Sequence, residues 1–233
     1  MKGPSIVLDQ LALQLNQIEI LQPISTQLEA GKLHALVGPN GAGKSSLLKC
    51  LLGLLPHQGT IERHWPSEPV TPAYLPQKAH FEPTLPVTIA DYMAAAISRR
   101  PLFWRRKQQI RDQVSQLLEQ VGLADRQQLK LGQLSGGEQQ RLLFALALQQ
   151  QTPLWFLDEP MTGLDTDAQQ AIEQLLLDQR AQGSTLIMVH HDLEFVRRHA
   201  DNVLMIAGGL TSSGTPAAVL PSSDSFIAVN GAA

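Results

Sequence analysis

The segment Gly38-Pro39-Asn40-Gly41-Ala42-Gly43-Lys44-Ser45 constrains this chain more than any other stretch of it. It fits the pattern G-x-x-x-x-G-K-[ST] at every fixed position and sits where that pattern has a physical meaning. The apolar run 32–37 before it reads as a strand. Residues 43–54 after it carry apolar side chains at positions 47, 48, 51, 52 and 54, one face of a helix. Glycines there let the backbone wrap an anion, so that N–H groups and the helix start face phosphate oxygens. Lys44 is placed to reach the β- and γ-phosphates and Ser45 to offer its hydroxyl to Mg²⁺, with Ser46 following on the same turn. Nucleotide binding is thus assigned to Gly38, Pro39, Asn40, Gly41, Ala42, Gly43, Lys44, Ser45 and Ser46.

A triphosphate site needs carboxylates as well as a cradle. Residues 154–157 form an apolar run ending in Asp158-Glu159. Successive strand side chains point to opposite sides, so the two acids divide the work. Asp158 can then hold the Mg²⁺ shell, while Glu159 faces the attacking water as general base or water-positioner. The run 184–189 is likewise continuously apolar, as in a strand of a parallel sheet covered on both faces. Between the early strands and these late ones the pattern turns helical. Thr88 and Asp91 have the spacing of a capping box, residues 105–121 close on Gly122, and residues 135–148 and 165–181 continue the helical pattern. A strand is expected at 5–15, and short strands at 60–63 and 73–75.

Composition narrows the rest. At 43% hydrophobic and 17% charged over 233 residues, the chain can bury a core and is not of disordered type. No stretch supplies the ~20 consecutive apolar residues of a membrane span, and the first residues lack a signal peptide's apolar region. Cys50 is the one cysteine, which excludes an intrachain disulfide or a cysteine-based zinc site.

With Leu134-Ser135-Gly136-Gly137-Glu138-Gln139-Gln140-Arg141 added, the chain resembles the ATP-binding cassette (ABC) ATPases, whose signature is LSGGQ; Glu138 stands where that motif has glutamine. The other family motifs occur in order. Tyr74-Leu75-Pro76-Gln77 resembles the Q-loop, Thr162-Gly163-Leu164-Asp165 the D-loop, and Met188-Val189-His190-His191-Asp192 the switch-histidine segment. The resemblance implies an α/β fold. A P-loop NTPase (RecA-like) core, residues 1–83 and 146–233, would carry an inserted α-helical subdomain, residues 84–145, and a small antiparallel β region.

It also implies ATP hydrolysis with Mg²⁺. Lys44, Gln77, Glu159 and His191 would be catalytic, with His190 the alternative to its neighbour, and Ser45, Gln77 and Asp158 would serve the metal. Ser135, Gly136, Gly137 and Asp165 would meet the nucleotide of a second copy in a head-to-tail homodimer. The family usually carries an aromatic residue upstream to stack on adenine; Leu15 falls near that position.

A cassette with no membrane segment implies a partner that has one. The expected arrangement is a cytoplasmic subunit, peripheral on the inner face of the membrane. It would bind a polytopic permease, and a periplasmic or extracellular solute-binding protein would act through that permease. Gln77-Lys78 and the segment 84–89 look like zinc and manganese importer ATPases; haem, cobalamin or iron-siderophore import and a non-transport regulatory role are the alternatives. Residues 99–111 hold six positive charges, interleaved with Leu102, Phe103 and Trp104, while the formal net charge is −3. That run is expected to face the membrane or acidic permease loops, each basic residue contributing about 1 kcal/mol. Nucleic acid is not an expected partner.

Overall fold

The computed structural model describes residues 2–78, 81, 82, 84–98 and 107–220. Arg99, Arg100, Arg105 and Arg106, with Leu102, Phe103 and Trp104, lie outside the described residues, so the basic run is represented only by the start of one helix.

In chain order the elements begin with β1 (Ser5–Leu15), β2 (Ile18–Leu28), β3 (Leu33–Val37), α1 (Lys44–Leu52), β4 (Gln58–His64) and β5 (Ala73–Leu75). Three helices follow, α2 (Ile89–Ile97), α3 (Lys107–Gln120) and α4 (Gly136–Gln149). The remainder is β6 (Leu154–Asp158), α5 (Thr166–Ala181), β7 (Thr185–Val189), α6 (Leu193–His199), β8 (Asn202–Ile206), β9 (Leu210–Gly214) and α7 (Pro216–Val219). They belong to two compact units: Met1–Pro72, Pro153–Glu159 and Gln179–Ala233 form the first, Ala73–Thr152 and Pro160–Asp178 the second.

The first unit holds two groups of strands. In the order β2-β1-β4 all neighbours are antiparallel. The β1–β2 hairpin turns on Asn16 and Gln17, both with positive φ, as a two-residue hairpin requires. Leu11, Leu13, Leu21, Ile24 and Leu28 are the hairpin's own buried side chains. The other group runs β6-β7-β3-β8-β9, parallel except for β9. Every residue of β3, β6 and β7 is buried, which is why these segments read as unbroken apolar runs. Residues 202–214, rich in Gly and Ser, form the β8–β9 hairpin, and Gly208 takes the left-handed conformation at its turn.

The second unit is mainly helical. Thr88 is the N-cap of α2, as expected, its hydroxyl oxygen accepting from Asp91 N (3.1 Å), while the Asp91 carboxylate accepts from the Thr88 hydroxyl (2.7 Å). Past the end of α3, Gly122 is left-handed and Leu123 N returns to Leu118 O (2.7 Å), a glycine-terminated helix end. Arg141 of α4 donates to the Gly122 carbonyl (2.9 Å), satisfying an oxygen that the ended helix leaves open. Ile89, Met93, Leu118, Leu142 and Phe144 are fully buried between these helices. No helix among the described residues is long and apolar enough to cross a membrane.

Candidate functional site

The phosphate loop is built by an exclusion that only glycine meets. Gly38 has φ +145°, and a Cβ there would stand 2.0 Å from the Ile206 carbonyl oxygen. Gly43 has φ +93°, and its Cβ would meet Leu21 Cδ2 at 2.5 Å. The chain therefore passes close to β2 and β8 before turning into α1. No side chain caps α1, so its first-turn N–H groups remain directed at the loop's concavity. Lys44 is buried, and its Nζ donates to the carbonyls of Gly38 and Pro39, both at 2.8 Å. The ammonium is thus held inside the loop rather than extended into solvent.

Ser45, one residue on, donates its hydroxyl to Asp158 Oδ1 at 2.7 Å across 113 positions of sequence. Asp158 ends β6 and is buried; that burial pushes its carboxyl above the usual range, against the Ser45 bond that lowers it. A buried carboxylate and a hydroxyl converging from two elements form the hard-oxygen pair that Mg²⁺ prefers, so the residues present fit that ion. Glu159 follows in a left-handed conformation, φ +50°, with its N–H on Val189 O (3.0 Å). That backbone turn is strained for a non-glycine residue.

The two histidines after β7 part company. His190 is 5% exposed, stacks near Phe195 at 4.6 Å between ring centroids, and accepts Asp192 N–H at Nδ1 (3.3 Å). Burial drives its pKa down to about 4, with His191 adding to the shift. His191 is exposed, and its Nδ1 lies 3.9 Å from Glu159 Oε2. The first unit thereby brings together Lys44, Ser45, Asp158, Glu159 and His191.

The remaining predicted residues belong to the second unit. Gln77 follows β5 and is exposed. Ser135 is the N-cap of α4 in a full capping box with Glu138. Gly136 and Gly137 make the first turn, and a Cβ on Gly137 would stand 3.1 Å from Gly163 O. Asp165 caps α5 through Ala168 N (2.9 Å) and is itself exposed.

With this geometry in hand, comparison with known proteins decides the family. The ABC transporter family model matches residues 21–162. The chain belongs to the ABC transporter family. It is 36% identical over 221 residues to the manganese transport system ATP-binding protein MntB of Halalkalibacterium halodurans, spanning 93% of this chain and 88% of the relative. It is 37% identical over 228 residues to the zinc import ATP-binding protein ZnuC of Photorhabdus laumondii, spanning 97% and 83%. The solved structure of an ATP-binding subunit of an ABC transporter shares the fold, with TM-score 0.78 at 23% identity over 97% of this chain and 98% of that one. The chain is accordingly an ABC ATPase, with ATP its substrate and a P-loop NTPase fold.

Sequence reasoning passes over one residue of this ABC ATPase's signature helix. Gln140 is 4% exposed, and its amide donates to Pro160 O (3.3 Å) and to Pro76 O (3.5 Å). It thereby ties α4 to the residue before Gln77 and to the loop that leads to the D-loop. A signal for it exists: Gln140 lies four residues before Phe144, a polar residue on the buried face of the helix. The box between Ser135 and Glu138 is also legible, as S-x-x-E ahead of an apolar run.

Proposed function

We propose that this chain is the ATP-hydrolysing subunit that energises import of manganese or zinc through a separate membrane permease. The observation that supports the solute is the names of its relatives at 36–37% identity, manganese transport and zinc import ATP-binding proteins. The observation that supports the chemistry is the Ser45–Asp158 pair at 2.7 Å beside the glycine loop.

In this reading the loop 38–46 and the start of α1 hold the triphosphate, and Lys44 exchanges its loop carbonyls for phosphate oxygens. Ser45 and Asp158 would hold Mg²⁺, with Gln77 contributing; when bound, the ion would neutralise phosphate charge. Glu159 takes the proton of the attacking water, and the exposed His191 contacts the terminal phosphate from beside it. Ser135, Gly136, Gly137 and Asp165 act on the nucleotide held by a second copy, so that ATP closes a head-to-tail homodimer. The whole chain then works as one ATPase domain, with a core at 1–83 and 146–233 and a helical subdomain at 84–145. The subunit sits on the cytoplasmic face of the membrane, and a solute-binding protein delivers the metal to the permease from outside.

Deleting the chain's coding sequence tests the assignment. Cellular manganese or zinc, measured by mass spectrometry in limiting medium, should fall and be restored by the parental chain but not by Lys44→Ala. Intact metal content with lost uptake of haem, cobalamin or siderophore would overturn the solute.

A further inference from the structure

Glu138, in the first turn of α4, is bonded more heavily than a helix cap alone requires. Its Oε2 accepts both the Ser135 N–H (2.9 Å) and the Ser135 hydroxyl (2.8 Å), while its own N–H donates to Ser135 Oγ (3.3 Å). Its other oxygen lies 3.3 Å from Arg126 Nε, and that arginine also lies 3.6 Å from Asp125. The two bonds from Ser135, backbone first, hold the Glu138 carboxyl below the usual range, so it is an anion at neutral pH.

A serine hydroxyl has one proton to give. While that proton points at Glu138 it cannot be donated to a phosphate oxygen, and the Ser135 N–H is engaged by the same carboxylate. We propose that Glu138 is a positioning residue that acts as an internal competitor for the triphosphate. Its carboxylate occupies the Ser135 donors in the free chain and is drawn off them by Arg126 when nucleotide is presented. The inference rests on the reading that Ser135 meets the nucleotide of the opposing copy. Like charges resist approach, so a resident carboxylate one hydrogen bond from Ser135 weakens ATP-driven closure, and its neutralisation by Arg126 limits that penalty. A glutamine at 138 keeps the helix cap through its amide oxygen but brings no charge to the cradle.

The test is ATPase activity of the purified full chain against ATP concentration, with thermal melting to confirm folding. Glu138→Gln should lower KM for ATP at least threefold while kcat changes by less than twofold. Arg126→Gln should raise KM at least threefold in the parental chain and leave it unaltered in the Glu138→Gln background. A purely structural cap would not produce that split or that coupling. An unchanged or raised KM for Glu138→Gln, or an equal effect of Arg126→Gln in both backgrounds, overturns the competitor. Ser135→Ala separates the two levels of the argument. If it abolishes ATP-driven dimerisation while Glu138→Gln leaves KM unchanged, the competitor alone is overturned. If Ser135→Ala alters neither KM nor dimerisation, the role given to Ser135 itself fails, and the competitor falls with it.

Discussion

His190 makes the stability of this ATPase depend on pH in a direction that follows from its burial. The ring is 5% exposed, sits against Phe195 and beside His191, and has a pKa of about 4 in the folded chain. In the unfolded chain a histidine titrates near 6.5. Above pH 6.5 both states hold it neutral and its full contribution is present. As pH falls from 6.5 toward 4 the unfolded state takes up the proton and the folded state does not, so stability is lost through that window. Linkage gives a loss of roughly 2 kcal/mol between pH 7 and pH 5, approaching about 3 kcal/mol at the acid end.

His34, also buried and also lowered by burial, adds slope of the same sign. The measurement must therefore be a comparison rather than a single curve. Urea unfolding of the parental chain and of His190→Asn at pH 7 and pH 5 isolates the group. The variant should be the less stable at pH 7, and the gap should shrink by roughly 2 kcal/mol at pH 5. A gap constant to within about 0.5 kcal/mol would show that His190 binds protons alike in both states, and the reasoning from burial would be refuted.

Three further outcomes follow from the geometry. Gly38→Ala puts a Cβ 2.0 Å from the Ile206 backbone at φ +145°, so it should cost ~3 kcal/mol or more in urea unfolding and abolish nucleotide binding; a loss below about 1 kcal/mol would contradict the close approach. Glu159→Gln should slow hydrolysis by roughly 10²- to 10⁴-fold and leave an ATP-bound dimer visible by gel filtration, whereas the parental rate would remove Glu159 as the base. Leu15 closes the hairpin opposite Ile18, whose side chain is 64% exposed. Leu15→Tyr should tighten ATP binding by titration calorimetry by about 2- to 12-fold through ring stacking; an unchanged Kd would place the base elsewhere.

Much of the site is legible in the amino-acid sequence because its devices are local. The glycine loop needs only a strand on one side and a helix on the other, and the Thr88 cap of α2 needs only the Asp91 N–H three residues on. Other strands carry weaker local marks. β2 is broken by Pro23 and by polar residues, and β9, Leu-Thr-Ser-Ser-Gly, is mostly small and polar. Both are held as much by their neighbours' hydrogen bonds as by their own side-chain pattern.

By itself, then, the sequence determined the order of the phosphate-binding motifs, because each rests on backbone conformation and dipoles set within a few residues. Only the tertiary structure decided which of two adjacent histidines is sealed against Phe195 and which turns toward Glu159. The same holds for Ser45, which finds Asp158 from the far side of the chain, and for Gln140, whose buried amide fastens two loops. Those outcomes depend on burial and on groups brought close from distant positions. Desolvation and hydrogen-bond partners distant in sequence arise only when elements pack, so neither can be read from spacing along the chain.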